Sequence, residues 1–264
     1  MGSGFALEVN NLSLILGGKK VLRDISFDVP EGQYLSIVGP NGAGKTSLLK
    51  CVMGIRSEWR GEIRVGDRSL AGVPQRERAR LLGYVPQADG RLFPFTVGQF
   101  VLMGRYPYLS PFSVTNPEDH RAVEEALKIT GTAAFRERDV RTLSGGERQK
   151  VFIAGALAQG ARILLLDEPT TFLDPLHEGQ VLAVLDRLRR QSSTTVLSVT
   201  HDINHAVLFA DRVLAMVAGK TVFDGPPARF MENSILKEVY GRTFTFLPHP
   251  SYGTPIVIPE RPER

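Results

Sequence analysis

The sequence predicts an α/β fold whose core sheet mixes parallel and antiparallel strands, and three stretches carry that expectation. Gly39-Pro40-Asn41-Gly42-Ala43-Gly44-Lys45-Thr46 lies between a short apolar, β-prone run, Tyr34 to Val38, and a helical segment, Ser47 to Met53, that stops at Gly54. Ile163 to Leu166 is wholly apolar, as strands buried on both faces of a parallel sheet are, and it delivers Asp167-Glu168-Pro169. Thr194 to Val199 repeats the pattern with β-branched residues and ends in Thr200-His201-Asp202. Polar groups at the carboxyl ends of such strands mark the ligand crevice of an open α/β sheet.

Taken in order, the chain begins with antiparallel strand material. Phe5 to Val9 and Leu12 to Leu16 read as two apolar segments, and Val21 to Val29 alternates before the turn Pro30-Glu31-Gly32. The glycine-rich loop comes next and fits G-x-x-x-x-G-K-[ST] at every fixed position. Its glycines let successive N–H groups close around phosphates, the helix end adds partial positive charge, Lys45 adds a full one, and the Thr46 hydroxyl can ligate Mg²⁺. Gly61 to Asp67 reads as a hairpin, Pro74 to Arg80 as a short polar helix with proline near its start, and Leu82 to Val85 as a strand running into Pro86-Gln87. An amide at that sheet edge could reach a metal-bound water or simply cap a turn.

Residues 94 to 160 change character. Thr96 to Met103 and Pro117 to Ile129 are helical, the second opened by Asn116 as cap and carrying Ala122, Val123, Ala126, Leu127 and Thr130 on one face. A helical subdomain therefore interrupts the α/β chain. Between these helices, Gly104-Arg105-Tyr106-Pro107-Tyr108-Leu109-Ser110-Pro111-Phe112 sets aromatics among prolines, either as a packed surface feature or as a docking site.

Leu143-Ser144-Gly145-Gly146-Glu147 then opens a helix through Ala158. Ser144 and Glu147 have the spacing of a capping box, which accounts for those two residues only. Two glycines in a first turn each cost about 1 kcal/mol of helix propensity, so a phosphate that needs a bare, positively polarised helix end is the natural explanation. Downstream, Asp167 is suited to holding Mg²⁺ and Glu168 to accepting a proton from an attacking water. A further amphipathic helix falls near Glu178 to Arg190. His201, a lone histidine at a strand end, reads either as a packing or capping residue or as a group sharing the sheet edge with Asp167.

Composition limits the alternatives. At 264 residues, 42% of them hydrophobic, the chain can bury a substantial core as one large domain or as a domain with an inserted subdomain. A single cysteine, Cys51, excludes an intrachain disulfide and any multi-cysteine metal cage, and points to simple packing in a reducing compartment. The residues Met1-Gly2-Ser3-Gly4-Phe5-Ala6 carry no targeting pattern. No apolar run approaches the roughly 18 to 20 residues of a membrane helix. The net charge of +4 is interspersed with acids, as in Arg76-Glu77-Arg78, which reads as a solvated surface rather than a nucleic-acid track, although a mildly basic face also suits an anionic membrane surface.

Together the loop at Gly39, Gln87, the Ser144 motif, the Asp167-Glu168-Pro169 strand end, the Phe172-Leu173-Asp174 turn and His201 resemble, in order and spacing, the nucleotide-binding domain of the ATP-binding cassette family, a phosphate-loop NTPase with a RecA-like core. The resemblance runs from about Phe5 to Val257. It implies a single ATP-binding domain over residues 1 to 264, with a RecA-like core and antiparallel β subdomain at about 5 to 90 and 161 to 225, a helical signature subdomain at about 91 to 160, and a C-terminal extension at 226 to 264. It implies that Gly39 through Ser47 bind the phosphates of ATP, and that two copies pair head to tail so that Ser144 and Gly146 of one, in a nucleotide-binding motif that includes Gly145 and Glu147, close on the γ-phosphate at Lys45 of the other. Mg²⁺ would be held by Thr46, Gln87 and Asp167, the attacking water oriented by Glu168, the γ-phosphate contacted by His201, and the two sites linked by Asp174.

Val101 to Leu109 and the tail segments Ile235 to Gly241 and Gly253 to Val257 resemble, more narrowly, the ATPase subunits of importers for iron-siderophores, haem and cobalamin. That implies a peripheral protein on the cytoplasmic face of the membrane whose segment after Gln87 receives a coupling helix of a separate permease dimer. An extracytoplasmic substrate-binding protein would be an indirect partner and nucleic acid none. Other readings are an importer of another metal or an oxyanion, or a soluble cassette ATPase. Against the soluble one stand the single cassette, the short interval from Gln87 to Ser144 and the absence of zinc-ligand cysteines. The chain departs from the family in one respect: an aromatic that stacks on adenine is expected on the early β layer, and the matching position is Leu16.

Overall fold

The computed structural model describes residues 4–87, 94–110, 114–191, 194–250, 253 and 255–258. Met1, Gly2, Ser3, Pro111, Phe112, Thr254 and the segment directly after Gln87, all of which entered the sequence reading, lie outside the described residues. The chain divides into two compact units, residues 1–71 with 197–264, and residues 72–196.

In the first unit, β1 (Phe5–Leu16) and β2 (Lys19–Pro30) form an antiparallel hairpin. The two apolar segments expected at its start are one strand. Its register shifts between Val9 and Leu12, where Asn11 adopts a φ of 51°. Asparagine tolerates that left-handed conformation, so the irregularity bends the strand without ending it. β3 (Tyr34–Val38) is buried along its whole length and runs into the glycine-rich loop, after which α1 (Lys45–Val52) begins. Cys51 is fully buried there and burial pushes its thiol up to about 12, which leaves it an inert packing residue as expected. β4 (Trp59–Val65) pairs with the other edge of β1, and β5 (Arg68–Ser69) closes a hairpin onto β4.

In the second unit, α2 (Gln75–Leu81) leads directly into β6 (Leu82–Val85). Three helices follow, α3 (Val97–Met103), α4 (Pro117–Thr130) and α5 (Gly145–Ala158), and they share a core of Val97, Val101, Val123, Leu127, Val140, Val151 and neighbours. All three open with a complete capping box, at Thr96, Asn116 and Ser144. A cap contributes about 1 kcal/mol, whereas truncating one buried leucine such as Leu127 costs about 2 to 5 kcal/mol. Packing therefore sets where these helices sit, and the caps set where they start. β7 (Ile163–Asp167) is parallel to β6, with Tyr84 opposite Leu165 and Val85 opposite Leu166. α6 (Pro175–Gln191) follows, and β8 (Thr195–Val199), buried throughout, carries the chain back into the first unit at Leu197.

There α7 (Ile203–Phe209) precedes β9 (Arg212–Val217), which is parallel to β3, and β10 (Lys220–Gly225), antiparallel to β9. The tail adds α8 (Pro227–Phe230), α9 (Asn233–Tyr240) and a small antiparallel ladder of β11 (Thr245–Leu247) with β12 (Ile256–Ile258). Phe230, Leu236, Val239 and Phe244 pack with Val38, Ala206, Val213 and Ala215, so the tail is part of the core beneath the glycine-rich loop. No helix among the described residues is long and apolar enough to cross a membrane.

Candidate functional site

The loop between β3 and α1 is a cradle made of backbone. Gly39 has a φ of 140° and lies so close to the Met216 carbonyl that a Cβ there would overlap it, and Gly44, with a φ of 101°, abuts the Val21 carbonyl. Neither position admits a side chain. Ala43 N–H donates to the Pro40 carbonyl at 3.1 Å and Gly219 N–H to the Ala43 carbonyl at 3.1 Å, which fixes the loop against the β9–β10 turn. Gly42 is also left-handed, at a φ of 80°. Lys45 is buried and its ammonium donates to the Gly39 carbonyl at 2.7 Å and the Pro40 carbonyl at 3.2 Å. The Lys45 ammonium is thus coiled back onto the carbonyls of its own loop. Thr46 and Ser47 continue the first turn of α1 behind it.

In the same unit, the end of β8 is tied to β3, since Thr200 N–H donates to the Ile37 carbonyl at 3.1 Å. His201 follows at an exposed position, and Asp202 caps α7 by accepting from His205 N–H at 2.9 Å. Leu16 is half-buried at the end of β1 opposite Lys19, and its neighbour Ile15 is exposed.

The second unit gathers the acidic residues. Asp167, at the end of β7, is buried and accepts a hydrogen bond from the Tyr84 hydroxyl at 3.2 Å. The parallel register of β6 on β7 creates that contact; Tyr84 is a functional neighbour that the sequence reading passed over, although it lies three residues before Gln87 on the same strand end. Glu168 takes a φ of 51°, a conformation costly for a residue with a side chain and found where the surroundings over-determine it. Its Oε2 accepts from Gln87 Nε2 at 3.2 Å and from Thr171 Oγ1 at 3.0 Å. Gln87 thus does more than cap a turn: it holds the carboxylate that the sequence singled out as proton acceptor.

Ser144 is the N-cap of α5. Its N–H donates to Glu147 Oε2 at 2.9 Å and its hydroxyl oxygen accepts from Glu147 N–H at 3.3 Å. The Ser144 N–H and the partly exposed Arg138 guanidinium beside it hold the Glu147 carboxyl below its ordinary value. Gly146 has a local reason to be glycine, because a Cβ there would collide with the side chain of His177 on α6. Propensity alone called for a phosphate at this helix end; the packing adds a second requirement. Asp174, just before α6, accepts from His177 N–H at 3.0 Å and pairs with His177 Nδ1 at 2.6 Å, which keeps its carboxyl low. Among the described residues no cluster of three or more histidine, cysteine or acidic side chains could hold a metal by itself.

The aromatic loop after α3 is firmly built. Arg105, buried, donates from Nε to Asp119 Oδ1 at 2.9 Å and from Nη1 to the Ala158 carbonyl at 3.0 Å, while its guanidinium stacks 4.0 Å from the Tyr108 ring centre. Arg76 and Arg80 both donate to the Pro107 carbonyl, at 3.1 and 3.0 Å. Tyr106 stands out of this frame 72% exposed, near exposed Met103. Tyr106 and Met103 thus leave large apolar surface exposed on a hydrogen-bonded frame.

A glycine-rich loop of phosphate-loop sequence following a buried parallel strand in one unit, and an acidic pair ending a parallel strand in the other, are the marks of a phosphate-loop NTPase. Residues 22–171 match the ABC transporter family, and the chain belongs to that family as an ATPase subunit. The iron(3+)-hydroxamate import ATP-binding protein of Bacillus subtilis is 34% identical over 96% of this chain and 94% of its own length. The hemin import ATP-binding protein of Rhodococcus jostii is 37% identical over 98% of this chain and 87% of its own. Among solved structures, an inward-facing putative metal-chelate type ABC transporter has a chain with a TM-score of 0.84, 27% identity and 98% coverage of both chains.

Proposed function

We propose that this chain is the ATP-hydrolysing subunit of an importer that moves a metal chelate of the iron-siderophore or haem kind through a separate membrane permease, acting as a dimer at the cytoplasmic face. The observation that supports it most is likeness along 96% of the chain to an iron(3+)-hydroxamate import ATP-binding protein, well beyond the shared nucleotide motifs. A corrinoid cargo rests on the sequence cues alone. In this reading the chain forms one cassette over residues 1 to 264, and the exposed Tyr106 edge supports contact with a permease.

Gly39 through Ser47 would wrap the triphosphate, and the Lys45 ammonium would move from the Gly39 and Pro40 carbonyls to phosphate oxygens. Thr46, Gln87 and Asp167 offer a hydroxyl, an amide oxygen and a carboxylate, hard donors suited to Mg²⁺ shared with phosphates; when bound, that ion neutralises phosphate charge. Glu168, fixed by Gln87 and Thr171, takes the proton of a water whose oxygen attacks the γ-phosphorus, while His201 contacts the γ-phosphate. Ser144, Gly145 and Gly146 of a second copy complete the charge stabilisation, with Glu147 capping the helix turn that presents them, and Asp174 links the two sites.

The test is reconstitution with the cognate permease in lipid vesicles. Permease-stimulated ATP hydrolysis and ATP-dependent uptake of an iron chelate are expected. A chain with which no integral membrane protein co-purifies, or whose ATPase no permease stimulates, overturns the reading.

A further inference from the structure

Ser144, His177 and Asp174 form a continuous hydrogen-bonded chain inside the second unit. Ser144 Oγ lies 3.1 Å from His177 Nε2, and His177 Nδ1 lies 2.6 Å from Asp174 Oδ2. Asp174 also accepts from the His177 backbone N–H at 3.0 Å, so both ends of the imidazole-bearing residue are tied to one carboxylate. Gly146, beneath the ring, lacks the Cβ that would push His177 away. Serine, glycine and histidine are thus one packed unit.

The donors and acceptors can be counted. Asp174 is an ionised acceptor, so His177 Nδ1 carries a hydrogen in either protonation state. In the neutral imidazole, Nε2 then has only a lone pair and must accept the Ser144 hydroxyl hydrogen. Ser144 Oγ meanwhile accepts from Glu147 N–H. The hydroxyl hydrogen is spent on the histidine and turned away from any anion. In the imidazolium, Nε2–H donates to Ser144 Oγ instead, and the hydroxyl hydrogen is released to donate outward.

We infer that His177 is a positioning residue whose protonation determines whether Ser144 can donate to the γ-phosphate held by a second copy, so that ATP-driven pairing of two copies takes up protons. This rests on the proposed meeting of Ser144 with nucleotide. No bond to the histidine forms or breaks apart from the N–H gained from solvent. The charged group paired with His177 is Asp174, just before α6; α5 meets the ring at Ser144 and Gly146, in the same turn as Glu147, which is itself paired with Arg138. A triphosphate brought to Ser144 by a second copy would add strong negative charge at this end of the hydrogen-bonded chain.

The experiment uses the full chain carrying Glu168→Gln, so that ATP is bound and not consumed, and measures Mg-ATP-driven dimerisation by sedimentation from about pH 5.5 to 8. The dimerisation constant is expected to rise as pH falls, by up to about tenfold per pH unit for each proton taken up. Adding His177→Gln, or separately Ser144→Ala, is expected to flatten that dependence, and the two together to do no more than either. Binding of ATP to the monomer, which uses the Lys45 loop, is the control expected to stay unchanged in every variant. Dimerisation that is equally steep without His177, or independent of pH with it, overturns the inference while leaving the proposed function intact. Absence of ATP-driven dimerisation at every pH overturns both.

Discussion

Gln87 and Thr171 donate to the same carboxylate oxygen of Glu168, at 3.2 and 3.0 Å. One neighbour follows β6 and the other belongs to the turn after β7, so the carboxylate is oriented by two segments at once. The left-handed backbone of Glu168 is tolerable only because of such anchoring. In the proposed role of proton acceptor a carboxylate held this way acts by position, and Gln at the same place keeps the shape without the basicity. Glu168→Gln is expected to retain ATP affinity and to lower turnover by a factor of about 10² to 10⁴. Equilibrium nucleotide binding together with single-turnover phosphate release checks it; near-normal turnover would remove Glu168 from the role of base.

Gly146 gives a second expectation. Gly146→Ala drives a methyl group into His177 and must displace α6 or the first turn of α5. ATP hydrolysis is expected to fall at least tenfold while binding of ATP to the monomer is unaffected, because the loop around Lys45 belongs to the other unit. The same substitution in a His177→Ala background is expected to recover part of the loss, since the obstructing ring is gone. Steady-state ATPase assays on the two variants, with equilibrium binding of ATP to the monomer, check both points.

How much of this was legible in the sequence follows from which interactions are local. The loop at Gly39, the strand ending in Asp167 and the caps of α4 and α5 could be read because strand periodicity, fixed glycine spacing and capping patterns lie within a few residues, whereas Thr96, read as the first residue of its helix, is the N-cap of α3. The capping box at Ser144 is present as the spacing required. Tyr84, Thr171 and His177 could not be read in the same way. Tyr84 reaches Asp167 through strand register, and His177 reaches Ser144 across 33 residues of chain, so neither contact leaves a short-range pattern. The split of the Phe5 to Leu16 strand failed for a related reason: two asparagines imitate a turn, yet pairing with β2 and β4 on both sides carries the strand through them.

The buried pair Arg105–Asp119 predicts an acid-sensitive stability. Asp119 is 1% exposed, and the Asn116 backbone N–H with the Arg105 guanidinium holds its carboxyl below the ordinary 3.8. A depressed value means that the unfolded chain binds the proton more readily. The stabilisation is therefore complete above the unfolded-state value and is lost as pH falls through the lower folded-state value. Removing one partner strands a buried charge, so Asp119→Ala is expected to cost about 3 to 5 kcal/mol. Thermal melts between about pH 3 and 7 check both points, since the gap between wild type and variant should narrow toward the acid end.

Tyr106 offers the sharpest separation of hydrolysis from transport. It stands 72% exposed on a frame fixed by Arg105 to Asp119 and the end of α5 and by Arg76 and Arg80 to Pro107. None of those contacts involves the Tyr106 ring, so Tyr106→Ala should leave the fold and the catalytic residues as they are. Truncating a central aromatic at a protein contact commonly costs 2 kcal/mol or more, roughly a thirtyfold loss of affinity. Basal ATPase of the isolated chain is expected to stay within about twofold of wild type, and permease-stimulated ATPase and chelate uptake in vesicles to fall by about tenfold or more. Gln87→Ala should behave differently, lowering basal hydrolysis as well, because it loosens Glu168. If Tyr106→Ala lowers basal and permease-stimulated activity in parallel, the exposed ring supports the cassette itself and the permease contacts another face.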